Sequence, residues 1–209
     1  MNKHLKKFHN MHAGKRCFLV GSAPTILNYD LSLLENDFLI GTNQIYKFYK
    51  NGLPAIDYYF AGDFLLLSKR GRDKFDGYNV DNVGRKFYRK GKYEIHIDSM
   101  DNAIPYWIEP SDMIEYGFNI DITKGLYHGY TIAHGALAFA VYFGFNPVYI
   151  IGVDLEYKNK DDLHFNSDKA IRCFQEIKKT CDENNIKIYN ASEYGILDVF
   201  PRVKYRGLF

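Results

Sequence analysis

The chain of 209 residues is poor in cysteine, tryptophan and proline, and no apolar run in it is long enough to cross a bilayer. Its three cysteines, Cys17, Cys173 and Cys181, are odd in number and form no C-x-x-C pair. That pattern argues against a disulfide framework and for reduced, cytoplasmic thiols. The first residues, MNKHLKKFHNMHAGKR, have no apolar centre, so no secretory signal is read there. The dinucleotide fingerprint G-x-G-x-x-G and the P-loop G-K-[ST] are both missing. No Asp-x-Asp occurs, and no histidine pair has zinc spacing on a helix. The adjacent acids Asp161 and Asp162 diverge in direction and make a poor hard-cation site. Chemistry without a metal or an organic cofactor is therefore expected. The net charge of +2 is too small to point to a nucleic-acid partner.

What is abundant is aromatic: 18 Tyr and 16 Phe, enough rings for stacking on a ligand as well as for packing. Hydrophobic residues at 46% and charged residues at 25% fit a folded globular chain and exclude wholesale disorder. Charge is uneven. Lys3, Lys6, Lys7, Lys15 and Arg16 face no acid within residues 1–16, and Arg202, Lys204 and Arg206 sit among aromatics near the other end. Two solvated termini are the plainer reading. The sharper one is a peripheral hold on the anionic inner face of a membrane, each basic residue near the surface adding on the order of 1 kcal/mol.

No repeat, low-complexity tract or linker interrupts the sequence, which reads as a basic tail over 1–12 and one domain over 13–209. Short apolar runs alternate with helical patterns. Strands are predicted at 17–21, 37–42, 57–61 and 147–153, with a further pair at 87–89 and 93–97 and a closing strand at 186–189. Helices are predicted at 31–36, 131–143 and 167–184. Near-continuous apolar strands imply burial on both faces, hence a mainly parallel sheet with helices on both sides: an α/β, doubly wound, Rossmann-like domain. In such a sheet ligands bind beyond the carboxyl ends of the strands.

Four strand ends carry chemistry. Gly21-Ser22-Ala23-Pro24-Thr25 follows the first strand; its small residues let backbone N–H groups approach a phosphate, or make an ordinary turn. Asn43 and Gln44 leave the second strand with donors and acceptors that suit a base or ribose edge, or cap a helix. Asp63 follows the third strand and reads as a helix cap or a ligand for a hydroxyl. Asp154 ends the 147–153 strand, where an acid can meet a ribose hydroxyl. Tyr157 follows closely and can donate to a leaving phosphate. His164 lies just beyond, where a base can work near neutral pH or simply face solvent. Thr131 opens an Ala-rich helix whose N-terminus favours negative charge, with His134 in its first turn.

The order of these motifs resembles bacterial sialyltransferases of glycosyltransferase family 42. The stretches G-S-A-P-T, G-T-N-Q-I-Y and T-I-A-H-G-A-L-A-F-A-V-Y-F-G-F-N-P-V-Y-I-I-G-V-D carry the likeness, over roughly residues 16–190. The motility-associated glycosylation factors and the archaeal 6-hydroxymethylpterin diphosphokinases are wider relatives of that family. The resemblance implies a sialyltransferase-like variant of the glycosyltransferase A fold and a cytidine monophosphate (CMP)-activated sugar, sialic acid or a related keto-sugar, as donor. Gly21 to Thr25 would cradle the donor, Asn43 and Gln44 would touch base, ribose or sugar, and Asp63 would border the nucleotide. Thr131 would face the phosphate. Asp154 with Tyr157 would lie against the nucleotide, and His164 would be the catalytic base. The reaction implied is a metal-free, inverting transfer to a glycan or glycolipid acceptor in lipopolysaccharide, capsule or surface glycan synthesis, with a homo-oligomer compatible with it. Two departures stand out. The family's Arg shortly before the Thr is Gly129 here, so that its charge is either missing or supplied by His128. His164 follows Asp154 by only ten positions, in place of a longer lid that shields the donor. A pterin-diphosphokinase-like phosphotransferase, which would need Mg²⁺ and ATP, and a non-catalytic nucleotide- or glycan-binding subunit are the alternatives.

Overall fold

The computed structural model describes residues 2–62, 83–90, 103–107, 116–156 and 166–209. Their architecture follows from seven short segments, most of them apolar, that pair as one sheet. The strands are β1 (Cys17–Val20), β2 (Phe38–Thr42), β3 (Ile56–Ala61), β4 (Val83–Lys90), β5 (Ala103–Trp107), β6 (Val148–Ile151) and β7 (Ile188–Asn190). Every pairing is parallel, in the order β5-β4-β3-β2-β1-β6-β7. The chain builds outward from β1 to one edge, then returns to lay β6 against the other side of β1. That reversal between β1 and β6 is the topological switch point, where doubly wound sheets open a crevice.

Alternate strand residues divide the core in two. Cys17, Leu19, Ile40, Tyr58, Phe60, Phe87 and Ile150 face one side, with Phe18, Val20, Leu39, Tyr59, Tyr88 and Ile151 on the other. The first side is covered by α1 (Ile132–Tyr142) and α2 (Ser167–Glu183). Much of the aromatic surplus is used here as packing. Phe60 stacks on Phe87 at 4.8 Å, and Phe139 meets both at 4.7 and 5.1 Å. Helix α2 is amphipathic, burying Ala170, Cys173, Phe174, Ile177 and Cys181 at helical spacing behind an Asn166 cap that accepts from the Lys169 amide. Its Cys173 and Cys181, like Cys17, are buried.

Every residue of α1 from Ala133 to Tyr142 is buried, so a second layer must cover its outer side. The N-terminal residues supply it. Over Lys3–Phe8 the chain is a 3-10 helix, whose three-residue repeat buries Asn2, Leu5 and Phe8 on one stripe and leaves Lys3, Lys6 and Lys7 exposed. The amides of Asn10, His12 and Gly14 then donate to the carbonyls of Tyr142, Phe143 and Gly144, which the end of α1 would otherwise leave unsatisfied. The segment expected as a solvated basic tail is thus a cover on the core, because its apolar residues recur with helical period between the lysines. The far end docks too: Phe200 and Tyr205 are buried, and Arg16 binds Asp37 through two nitrogens and the Leu208 carbonyl through a third.

Other differences from expectation are local. The second face carries 3-10 segments rather than α-helices among the described residues: Pro24–Asn28, Leu31–Leu34 and Asn43–Asn51. Leu31–Leu34 is the predicted helix at 31–36, shortened to a single turn capped by Asp30. Strand β5 was not anticipated, since Pro105 lies in its middle; β5 is the last strand in the sheet, where a residue without an N–H is tolerated. The predicted strand at 93–97 lies outside the described residues.

Candidate functional site at the carboxyl rim

Gly21 and Gly152 meet at the switch point. A Cβ on Gly21 would stand 2.2 Å from the Gly152 carbonyl oxygen, so the two strand ends touch backbone to backbone. Gly152 adopts φ +69°, a turn that most residues resist, and its amide donates to the Ser192 hydroxyl. The Ala23 amide donates to the Gly152 carbonyl, locking the G-S-A-P-T turn against the end of β6. Pro24 then begins the next 3-10 turn, where a missing N–H is harmless. Ser22 remains half-exposed beside this junction.

Beyond Gly152 the chain presents Asp154, 7% exposed. The Thr25 hydroxyl donates to its Oδ2 at 2.6 Å, while Oδ1 is buried without a hydrogen-bond partner among the described residues. Burial pushes this carboxyl above its ordinary range. The Thr25 bond works against that rise, Glu156 adds to it, and the positive charge of Arg202 opposes it. Gly195, at φ +79°, lies so close that a Cβ there would come within 2.4 Å of the Asp154 Cα, and the Ile196 amide donates to the Asp154 carbonyl. Arg202 holds this 192–195 loop by donating to the carbonyls of Ser192, Tyr194 and Gly195. Leu155, at φ +56°, is a strained non-glycine residue right after the acid, and Ser167 at the start of α2 donates to its carbonyl.

On the other side of β1, Asn43 follows β2 at φ +47°. Its carbonyl accepts from the Tyr59 hydroxyl at 2.5 Å, and its buried Oδ1 has no partner among the described residues. The cap of the following segment is Thr42, without a side-chain bond, so a simple capping role does not account for Asn43. Gln44 accepts from Lys47 through Oε1. Thr131 does cap α1, accepting from the Ala133 amide at 3.4 Å. The next residue, Ile132, abuts Gly62 at the end of β3, which brings the N-terminus of α1 to the same rim.

The structure therefore links Thr25 directly to Asp154 and places Ser22, Asn43 and Thr131 along one edge. Asp63, Tyr157 and His164, with Asp161 and Asp162, lie outside the described residues. Sequence reasoning passed over several groups here. Burial lowers the proton affinity of His128, and the positive charge of Arg89, at the end of β4, lowers it further. Tyr130 accepts from Lys169 Nζ at 3.1 Å, with the same ammonium 5.0 Å from the ring centre. Arg89 falls in a run that reads only as strand, and Lys169 follows a helix cap, so neither stands in a motif. Gly129 could not hold the family's arginine: it sits at φ +65°, and a Cβ would come within 2.1 Å of the His134 ring.

An all-parallel sheet reversed at a glycine-lined switch point, with an acid and a helix N-terminus on its carboxyl rim, defines a Rossmann-like α/β architecture. Among solved structures it is similar to the sialyltransferase CstII from Campylobacter jejuni in complex with the substrate analogue CMP-3FNeuAc, with TM-score 0.56 and 17% identity over 90% of this chain and 85% of that one. The same enzyme in complex with cytidine-5'-monophosphate aligns with TM-score 0.53 and 18% identity over 90% and 84% of the two chains. The MAf glycosyltransferase from Magnetospirillum magneticum AMB-1 aligns with TM-score 0.62 and 15% identity, over 97% of this chain but only 37% of that protein. No protein-family profile matches the sequence. No curated protein sequence does either. The fold expected from the sequence, and the sialyltransferase likeness drawn from its motifs, are those of these structural neighbours.

Proposed function

We propose that this chain is a glycosyltransferase that takes a CMP-activated sugar, sialic acid or a related keto-sugar, and transfers the sugar to a hydroxyl of a glycan or glycolipid acceptor without a metal. One observation carries the reading: the Thr25–Asp154 hydrogen bond joins the turn after β1 to the acid after β6, at the switch point of a fold shared with a CMP-bound sialyltransferase. Gly21 to Thr25 would approach the donor through backbone, Asp154 would accept from a nucleoside hydroxyl, and Asn43 and Gln44 would meet base, ribose or sugar. The Thr131 turn and the first amides of α1 would face the phosphate, with Asp63 bordering the nucleotide. His164 is proposed as the base that removes the acceptor proton while that oxygen attacks the anomeric carbon. The phosphate then departs from the opposite face, with Tyr157 donating to it, and the anomeric configuration inverts. Surface glycan, lipopolysaccharide or capsule assembly is the proposed setting, on the cytoplasmic side. Among the described residues no helix is long and apolar enough to cross a membrane. The basic termini are proposed to contribute peripheral contact.

Thermal unfolding tests the donor. CMP should raise the Tm, and uridine diphosphate with Mn²⁺ should not; the reverse result would reject the reading. His164→Ala should lose turnover and retain CMP binding, and a chelator should leave turnover unchanged. A second reading, a nucleotide-binding subunit without turnover, gains support from the steric exclusion of an arginine at Gly129. It requires CMP binding with no transfer across a broad acceptor panel.

A further inference from the structure

His134 is 1% exposed in the first turn of α1, and its ring touches three parts of the approach to that helix. Its Nε2 lies 3.0 Å from the Gly117 carbonyl, an acceptor only, so Nε2 carries the proton and donates. The ring occupies the space that any side chain at Gly129 would need. Phe118 packs edge-on against it at 5.8 Å. Burial lowers its pKa to about 4, so the ring is neutral near pH 7. Its other nitrogen, Nδ1, is buried without a partner among the described residues. An unpaired buried nitrogen costs stability that a hydrophobic ring would not, so packing alone does not account for histidine here. The bond from Nε2 does.

What that bond holds is the turn before the helix. Gly129 at φ +65° and Tyr130 at φ +56° are consecutive left-handed residues, and Tyr130 has a side chain that disfavours this conformation. They are followed at once by the Thr131 cap, whose carbonyl accepts from the His134 amide. Gly117 is itself pinned, since a Cβ there would meet the Tyr127 ring at 2.4 Å. His134 thus closes a brace from the Gly117 carbonyl, across Gly129, to the Tyr130–Thr131 turn.

We propose that His134 is a positioning residue, whose ring holds Tyr130 and Thr131 so that the start of α1 presents its amides and the Thr131 hydroxyl to the phosphate of the donor. This rests on the donor reading given above, and the test separates the two. The full chain and its His134→Phe and His134→Gln variants are compared, the first keeping a ring without the donor and the second keeping a donor. Amide hydrogen exchange without nucleotide reads the brace itself. Exchange across Tyr130 to Ala136 should quicken about tenfold or more in His134→Phe and stay near wild type in His134→Gln. CMP and cytidine then read the phosphate separately from the nucleoside. His134→Phe should weaken CMP binding about tenfold and cytidine binding less than about twofold, with His134→Gln restoring the preference. Quickened exchange with an unchanged CMP-to-cytidine preference would show a brace for stability only and overturn the proposal. Unchanged exchange in His134→Phe would overturn it at the first step. A wild-type chain that does not prefer CMP to cytidine would overturn the donor reading, and the phosphate role with it.

Discussion

The two halves of the carboxyl rim are built from different materials. Around β1, β6 and β7, close approach is achieved by backbone: Gly21 on Gly152, and Gly195 on Asp154. Around β3, β4 and the start of α1, side chains fill the rim: Arg89, His128, Tyr130, Lys169 and the His134 brace. In the first half an added atom would strike backbone, as at Gly21 on the Gly152 carbonyl, whereas in the second it would strike a side chain, as at Gly129 on the His134 ring. The rim thus pairs a stretch fixed by backbone contact with a stretch lined by side chains.

The largest expected effect tests the rigidity of the first half. Gly21→Ala drives a methyl into the Gly152 carbonyl between two paired strands and should cost about 3–5 kcal/mol in urea unfolding. Gly135→Ala is the contrast: a Cβ there meets nothing within 4 Å beyond its own helix, and the change should stabilise by roughly 0.5–1 kcal/mol. A Gly21→Ala protein of wild-type stability would break the comparison.

Next comes pH, where the two halves carry opposite signs. His134 titrates near pH 4 in the fold against about 6.5 unfolded, so the unfolded chain binds the extra proton in between. Stability should fall by ~2–3 kcal/mol as pH drops through that window, and His134→Phe should flatten the slope of Tm against pH. Asp154 has a raised pKa, so its contribution is fully present below the ordinary carboxylate pKa and is lost as pH rises through the folded value. Asp154→Asn should therefore raise the Tm of the nucleotide-free protein at pH 7 while weakening CMP binding.

A smaller effect sharpens the link across the switch point. Thr25→Val removes the hydroxyl that donates to Asp154 and should cost about 1–2 kcal/mol, with Thr25→Ser close to wild type in the same urea experiment. Smallest of all, Asp182→Asn breaks the exposed Lys178–Asp182 pair on α2, far from either half. It should shift stability by less than about 0.5 kcal/mol.

The backbone half of the rim was legible in the sequence because glycines and small residues right after apolar strands mark a close approach, as at Gly21 and Gly152. Asp154 was legible for the same reason. The side-chain half was not. Arg89 continues an alternating strand, and the function of His134 depends on a glycine five residues before it and a carbonyl from Gly117. Such pairings are set by three-dimensional closure, which periodicity does not report. The α/β class and both long helices were legible from apolar runs and from the 3.6-residue pattern of 167–184. The cover over α1 was not, because six basic or histidine residues among the first twelve mask the Leu5–Phe8 stripe.

That cover has a consequence for how the molecule comes together. Asn10 reaches Tyr142 and Gly14 reaches Gly144 across most of the polypeptide, so a segment translated early waits for its docking surface until far more chain has emerged. Until then the Leu5–Phe8 stripe lies bare, and growing chains held in that interval would be the ones most prone to clump.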